Sequence, residues 1–293
     1  MAYGEKYKAF LDTARTERLA AAEIIRRAEE KGFKPVYTMK SVKAGDKVYW
    51  NQKDKSVILA VIGKEPVHEG IKIVGSHIDS PRLDLKANPV HEQDGIVYFR
   101  THYYGGIKKY QWTCIPLALI GVVFTKDGKK VDINIGLKDS DPVFYVSDLL
   151  IHMAQDQMKK TLAEGITGEQ LQAVAGTHSE EGQTPKDAIM ALLKKEYGIE
   201  EEDFAAAELE LVPATKSRDV GFDRSLIASY GQDDRVCSYA NLEAILDAKP
   251  GVKTQAALLT DKEEIGSYGN TGMESSYFCL LYTSDAADDM QCV

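Results

Sequence analysis

The chain contains 293 residues, of which 44% are hydrophobic and 28% are charged, and this composition is typical of a globular protein with a sizeable core. Its net charge of −9 argues against a nucleic-acid-binding protein, because such proteins usually carry a basic face. No apolar stretch approaches the roughly 20 residues needed to cross a bilayer, and the N-terminus lacks the apolar core of a signal peptide. We therefore expect a cytoplasmic protein that binds neither nucleic acid nor membranes.

The four cysteines form neither a CxxC pair nor a disulfide framework. Cys114 and Cys237 lie in ordinary sequence, and we predict that both are buried thiols. Neither spacing predicts a cysteine zinc site.

The first 86 residues predict the beginning of an α/β domain. Ala21, Ile24, Ile25 and Ala28 follow the i, i+3, i+4, i+7 spacing of one helix face. Two strand-like runs follow, SVILAVIG and IKIVGSHID. The first is apolar at consecutive positions, as is typical of a strand that is buried on both faces of a sheet.

The pattern changes in a middle block, residues 87–225. Gly95–Tyr104 and Ile115–Ile135 predict β-structure, whereas Val146–Leu162 and Thr184–Tyr197 predict helices. Because this block interrupts the α/β pattern, we predict that it is an inserted, β-rich domain.

The α/β pattern resumes over residues 226–278. Val236–Ala248 predicts a helix, and the run TQAALLT, which ends at Thr260, predicts a strand. Alternation of strands and helices on both sides of the block predicts an α/β fold, with a mostly parallel, twisted sheet flanked by helices.

The first segment that could carry chemistry is VGSHIDSPRLD, directly after a predicted strand. His77 can offer an imidazole nitrogen to a metal, and Asp79 can bind the other ring nitrogen and fix the tautomer. The alternative is a surface histidine and a turn aspartate before Pro81.

The second segment is YGQDDRVCSYANLEAIL, where two aspartates precede a predicted helix. They can simply cap the helix, since carboxylates bind the free amides of the first turn. In the functional interpretation Asp233 bridges two metal ions, while Asp234 and Arg235 help to hold the loop.

The third segment is LLTDKEEIGSYGNTG, where two glutamates follow a predicted strand. They could form no more than a charged loop. Alternatively, Glu264 binds a metal ion while Glu263 takes a proton from the metal-bound water, as a general base must lie close to that water.

The order of these segments resembles the aspartyl aminopeptidases, a family of cytosolic two-zinc metallopeptidases. The resemblance runs from near the N-terminus to about Tyr277 and includes HYYGGIKKYQWT and SDLLIHMAQDQMKK, both similar to the bacterial branch. It implies a zinc exopeptidase-like fold, in which the middle block is a dimerisation domain and dimers assemble into a dodecamer. His152 matches a histidine of that domain that reaches a neighbouring subunit's active site.

The resemblance also implies the roles of the site residues. His77, Asp233 and Glu264 would bind zinc, with manganese or cobalt as alternatives. Glu263 would be the general base, and Asp79 would be the partner behind His77. The substrates would be peptides with N-terminal aspartate or glutamate.

The chain departs from the family in its last residues, 279–293. This segment, CLLYTSDAADDMQCV, resembles a translated sequencing adapter or vector read-through. The family would supply a further aspartate and a final histidine beyond this point. We therefore expect an incomplete sheet, two protein ligands for each zinc where catalytic sites have about three, and no turnover by this chain.

Two other readings remain open. One is a related two-metal exopeptidase with another specificity, since such families share the HxD, DDR and EE pattern. The other is a non-catalytic assembly fragment that uses the inserted domain to dimerise.

Overall fold

The computed structural model describes residues 3–279 and divides into two compact units. The first unit is built from the chain up to Ser80 and from Lys216 onward, and the second unit is Pro81–Thr215. The sequence pattern placed the edges of the inserted block at residues 87 and 225. None of the helices within residues 3–279 is long and apolar enough to span a membrane. The predicted tail, residues 279–293, lies outside the described residues except for Cys279.

Besides short 3-10 turns and the helical residues 277–279, the described chain forms the following α-helices and β-strands. The helices are α1 (Tyr3–Thr13), α2 (Glu17–Glu30), α3 (Leu162–Gly165), α4 (Pro185–Tyr197) and α5 (Gln232–Asp247). The strands are β1 (Lys34–Pro35), β2 (Lys47–Gln52), β3 (Ser56–Val61), β4 (Ile71–His77), β5 (Arg82–Gln93), β6 (Ile96–Tyr104), β7 (Pro116–Phe124), β8 (Lys130–Ile135), β9 (Phe144–Tyr145), β10 (Ala173–Gly176), β11 (Ala207–Pro213), β12 (Arg218–Val220), β13 (Leu226–Ala228) and β14 (Thr254–Thr260).

The first unit contains a five-stranded sheet in the order β1-β2-β3-β14-β4. Every residue of β3 is buried, as its continuous apolar run predicts. The pairs β1–β2 and β14–β4 are parallel, whereas β2–β3 and β3–β14 are antiparallel. The prediction of a mostly parallel sheet is therefore wrong for the described part. The reason is a β2–β3 hairpin whose tight turn places Lys53 and Asp54 at positive φ.

Helices cover one face of this sheet. The predicted face of α2 is confirmed, since Ala21, Ile24 and Ala28 are fully buried. α2 begins after Thr16, whose hydroxyl oxygen accepts a hydrogen bond from the Leu19 amide at 3.3 Å. α1, α2 and α5 share one apolar core with the inward side chains of β3 and β14. The side chains that α5 contributes are those predicted for its apolar side, Tyr239, Leu242, Ile245 and Leu246.

The second unit is an antiparallel sheet with the strand order β11-β5-β6-β10-β9-β7-β8. β11 also pairs with β7, and this contact closes the sheet on itself. Three predictions are confirmed here: strand β6, the β-structure of Ile115–Ile135, which forms β7 and β8, and helix α4. The last begins after Thr184, which forms a capping box with Asp187.

The helix predicted for Val146–Leu162 is wrong. The structure shows irregular backbone with one 3-10 turn at Gln157–Lys159, and α3 begins only at Leu162. Val146 and Ala154 of this segment are buried, but several of its large apolar side chains are exposed. Short helices are marginal without a packed apolar face. The exposed fractions are 53% for Leu149, 70% for Leu150, 63% for Ile151 and 72% for Met153.

The prediction that Cys114 and Cys237 are buried is also wrong, since both thiols are free and exposed. Cys237 lies on the outward side of α5. Cys114 lies just before β7 and has a φ of 60°, so it belongs to a turn and not to the buried strand that follows.

Gly121 allows β7 and β11 to approach each other, and we expect its replacement to be costly. It has a φ of 145°, and a Cβ there would lie 1.9 Å from the carbonyl oxygen of Glu208. Gly121→Ala should lower the free energy of unfolding by roughly 2–4 kcal/mol through overpacking and backbone strain. The matched control is Gly128→Ala, with a φ of 80° but no atom near its Cβ, which should cost about 1 kcal/mol. Equal urea midpoints for the two variants would contradict this account.

Candidate active site

Two predicted site segments leave the sheet of the first unit side by side. β4 ends at His77 and β14 ends at Thr260, and these residues face each other in a parallel pair. The Ile78 amide continues the pairing by donating to the Thr260 carbonyl at 2.8 Å. Because the carboxyl ends of parallel strands meet at one edge, the His77 segment and the loop after β14 are neighbours. We call residues 262–270 the EE loop.

Helix α5 is fixed against the same two strands by one buried side chain. The amide of Asn241 donates to the Val74 carbonyl at 3.0 Å and to Ser76 Oγ at 3.1 Å, both on β4. It also lies 3.4 Å from the Leu258 carbonyl on β14. This contact holds α5, which begins with the DDR motif, against the strands that end at His77 and at the EE loop.

Asp79 joins His77 to the EE loop. Its carboxylate is fully buried and accepts hydrogen bonds from the backbone amides of Glu263 at 3.1 Å and Glu264 at 3.2 Å. Its Oδ1 also lies 3.4 Å from Nδ1 of His77. The carboxylate therefore fixes the backbone of both glutamates and lies beside the histidine ring, whose Nδ1 has the Asp79 carbonyl oxygen as a nearer partner at 3.2 Å.

The charge around His77 is strongly negative. The interaction with Asp79 raises the pKa of His77 to about 9, and it is reinforced by the charges of Asp234 and Glu263 and opposed by burial. Nε2 of His77 lies 3.9 Å from Oε2 of Glu263, whose side chain is 56% exposed. Glu263 thus lies on the open side of the ring, where a water molecule can reach both groups.

The two aspartates of α5 differ in position. Asp234 is only 3% exposed, its Oδ1 lies 3.9 Å from Nδ1 of His77, and its carboxyl interacts with that of Glu264. Asp233 is exposed in the first turn of the helix. Burial, followed by the hydrogen bond and charge of Asp234, raises the pKa of Glu264 to about 7. The structure therefore brings together His77, Asp79, Glu263 and Glu264, with Asp234 in the place predicted for Asp233.

This donor set suits a divalent cation. One imidazole faces several carboxylates, which are the ligand types that zinc accepts besides thiolates. Oδ1 of Asp234 is buried and has no hydrogen-bond partner among residues 3–279, and such an atom is costly unless it is bound. Within residues 3–279, however, no three histidine, cysteine or acidic side chains lie close enough together to hold a metal ion.

Sequence reasoning missed a third buried carboxylate at this edge, besides Asp79 and Asp234. Asp261 is 2% exposed and directly follows β14. Burial, with the charge of Glu17 as the next cause, raises the pKa of Asp261 to about 6, and the hydrogen bond from Thr271 opposes this rise. The position of Asp261, between the end of a predicted strand and the two glutamates, was the feature of the sequence that could have identified it.

Comparisons with known proteins identify the family of this chain. The model of the peptidase M18 family, described as aminopeptidase I zinc metalloprotease, matches residues 10–286. A relative named "Probable M18 family aminopeptidase 1" from Clostridium acetobutylicum is 48% identical over 285 residues, which are 94% of this chain and 61% of the relative. The Thermotoga maritima protein of that name is 44% identical, with the same coverage of 94% and 61%. The chain therefore spans about three fifths of the length of these relatives.

Solved structures give the same result. The M18 aminopeptidase of Thermotoga maritima superposes with a TM-score of 0.93 at 40% identity, covering 99% of this chain and 65% of that one. Aminopeptidase I of Clostridium acetobutylicum gives 0.89 at 44% identity, covering 98% and 65%. The mApe1 dodecamer of S. cerevisiae gives 0.70 at 18% identity, covering 92% and 62%, and this likeness concerns the fold alone.

Proposed function

Since the chain belongs to the M18 family of zinc metalloproteases, we propose that the whole protein is an aminopeptidase that removes N-terminal residues from peptides with metal-activated water. The observation that carries this proposal is the buried carboxylate of Asp79, which holds His77 and both glutamate amides at one sheet edge. A metal site needs such support, because partners behind the ligands orient them.

His77 and Glu264 are the proposed zinc ligands from the two strand ends. The third is an aspartate from the first turn of α5. The family resemblance assigns this role to Asp233, whereas the buried carboxylate beside His77 is Asp234. We retain Asp233 as the proposed ligand, and the experiment that decides between the two is given in the Discussion.

A zinc ion held by these residues would act as a Lewis acid, which would polarise the scissile carbonyl and lower the pKa of water. Glu263 is the proposed general base, because its carboxylate lies on the open side of His77. It accepts a proton from the attacking water and then donates it to the departing amine. Asp79 keeps Nδ1 of His77 engaged, so that Nε2 is the ring nitrogen directed towards the open side.

Three finer proposals come from the resemblance. The complete protein binds two zinc ions per subunit, prefers N-terminal aspartate or glutamate, and works in the cytoplasm. The present chain, which spans about three fifths of its relatives, is proposed to bind zinc weakly and to be inactive by itself.

We also propose that the second unit mediates dimerisation, with dodecamers as the complete assembly. The supporting observation is the run of exposed apolar side chains Leu149, Leu150, Ile151 and Met153, since contiguous exposed apolar surface marks interaction sites. His152 lies within this run and is exposed. It is proposed to reach the active site of a neighbouring subunit.

Zinc titration of the purified chain tests the site. The wild type should bind zinc, and His77→Ala should weaken binding by on the order of 100-fold, because losing a ligand costs at least as much as losing a partner behind it. The matched control is His68→Ala, since His68 is a histidine of the first unit whose side chain is 77% exposed. A wild type without zinc affinity would favour the non-catalytic assembly fragment.

Hydrolysis assays separate the remaining alternatives. Peptides with N-terminal aspartyl, glutamyl, leucyl and lysyl residues should all remain intact with this chain. Chelator-sensitive release of aspartate would overturn the proposed inactivity. Preferential release of leucine or lysine would indicate a related exopeptidase with another specificity.

A further inference from the structure

The EE loop is closed at its base by a ring of buried hydrogen bonds. The Asp261 amide donates to Ser56 Oγ at 3.0 Å, the Ser56 hydroxyl donates to the Thr271 carbonyl, and the Thr271 hydroxyl donates to Asp261 Oδ2 at 2.6 Å. The exposed fractions of Ser56, Asp261 and Thr271 are 6%, 2% and 4%. We call these three residues the loop clasp.

The loop clasp ties both ends of the loop to the sheet. Asp261 follows β14, Thr271 follows the last residue of the loop, and Ser56 begins β3, the strand beside β14. The Asp261 amide also lies 3.3 Å from the Thr271 carbonyl, so the two ends are bonded directly as well. The side chain of Gln52 adds a bond to the Asn270 carbonyl at 3.2 Å.

The backbone of the EE loop is strained, so the loop must be held at both of its ends. Lys262 and Ser267 have φ values of 70° and 62°, a left-handed conformation that is unfavourable for residues with a Cβ. The Ser267 amide returns to the Lys262 carbonyl at 2.6 Å, which makes the turn compact. Strained backbone of this kind persists only where its surroundings hold it.

We propose that the loop clasp positions Glu263 and Glu264 for the metal-dependent reaction, as a buried counterpart to Asp79. Asp79 holds the amides of both glutamates from the His77 side, and the loop clasp fixes the base from the β3 side. The inference rests on the proposed function in that it assigns the metal chemistry to these glutamates. Ser56, Asp261 and Thr271 are positioning residues, because they act through the loop.

The test compares variants of the full 293-residue chain. Thr271→Val removes the hydroxyl with little change of shape, and Thr271→Ser restores it. The matched control is Thr254→Val, because Thr254 is another buried threonine, whose oxygen accepts a hydrogen bond from the Gly63 amide at 3.0 Å. It lies at the opposite end of β14, about 20 Å from the loop at the usual rise per strand residue.

Two readouts are taken from each variant, deuterium exchange of peptides covering the EE loop and zinc affinity by competition with a chromogenic chelator. We expect Thr271→Val to speed exchange of the loop amides by about tenfold, as local opening becomes easier, and to weaken zinc binding by about tenfold. Thr271→Ser should behave like the wild type. Thr254→Val should change neither readout, even if it lowers the melting temperature.

Unchanged loop exchange in Thr271→Val would overturn the inference, and so would equal loosening of the loop in Thr254→Val. If Thr271→Val does not fold, Ser56→Ala removes another bond of the loop clasp and is judged by the same outcomes. A wild type that binds no zinc would refute the proposed metal site, while the exchange data would still decide whether the loop clasp holds the loop.

Discussion

Asp79→Ala is expected to weaken zinc binding by about 10- to 100-fold, the usual cost of removing a partner behind a metal ligand. The carboxylate holds two backbone amides of the EE loop and the ring of His77. Its removal frees the backbone amides of Glu263 and Glu264, and it leaves the Asp79 carbonyl oxygen, at 3.2 Å, as the remaining partner of Nδ1 of His77. The two part-buried amides that lose their acceptor should lower the free energy of unfolding by about 1–3 kcal/mol.

The control for this variant is Asp141→Ala. Asp141 also accepts two backbone amide hydrogen bonds, from Gly136 and Lys138, both at 3.1 Å. It lies in the second unit, away from the proposed ligands in sequence. The variant Asp141→Ala should therefore be less stable than the wild type but should bind zinc with the same affinity.

Isothermal titration and chemical denaturation measure the two effects separately. A loss of stability in Asp79→Ala with zinc affinity like that of the wild type would make Asp79 a purely structural residue. Similar losses of zinc affinity in both variants would show that the effect of Asp79→Ala is global, and the proposed role would then be wrong.

The sequence predicted the positions of the site segments better than the direction of their side chains. The buried run of β3, the strand TQAALLT and the apolar side of α5 are short-range patterns that burial itself imposes, and all are confirmed. Strand pairing depends on long-range contacts. The same runs could form a mostly parallel sheet or the mixed sheet that is observed.

The helix predicted for Val146–Leu162 failed for a related reason. Apolar residues recur there at helical spacing, but a helix of that length needs a surface on which to bury them. Leu150 and Met153 are instead 70% and 72% exposed. Apolar periodicity reports that side chains prefer burial, and it does not identify the surface that buries them.

The DDR motif shows the same limit at the site itself. Neighbouring residues on a helix point about 100° apart, so only one of Asp233 and Asp234 can face His77. The choice depends on where α5 begins, which varies by one or two residues for any helix end. In the structure α5 begins at Gln232, and this start turns Asp234 inward.

The variants Asp233→Asn and Asp234→Asn therefore decide which aspartate binds zinc. Asp233→Asn is expected to weaken zinc binding by on the order of 100-fold, because it removes a proposed ligand. Asp234→Asn should weaken it by about tenfold or less. It should also stabilise the zinc-free chain, because it removes one of two neighbouring carboxyls, Asp234 and Glu264, whose negative charges repel each other. Zinc titrations and zinc-free melting curves of both variants give these values.

The expectation for Asp233 requires the first turn of α5 to rearrange when zinc binds. That turn starts from Gly231 in a left-handed conformation without a side-chain cap, and the Gln232 side chain ties it to Tyr7 and to the Ile227 carbonyl. If the affinities follow the reverse order, Asp234 is the ligand and α5 binds zinc as it now stands. Oδ1 of Asp234, buried without a hydrogen-bond partner among the described residues, would then be the atom that meets the metal.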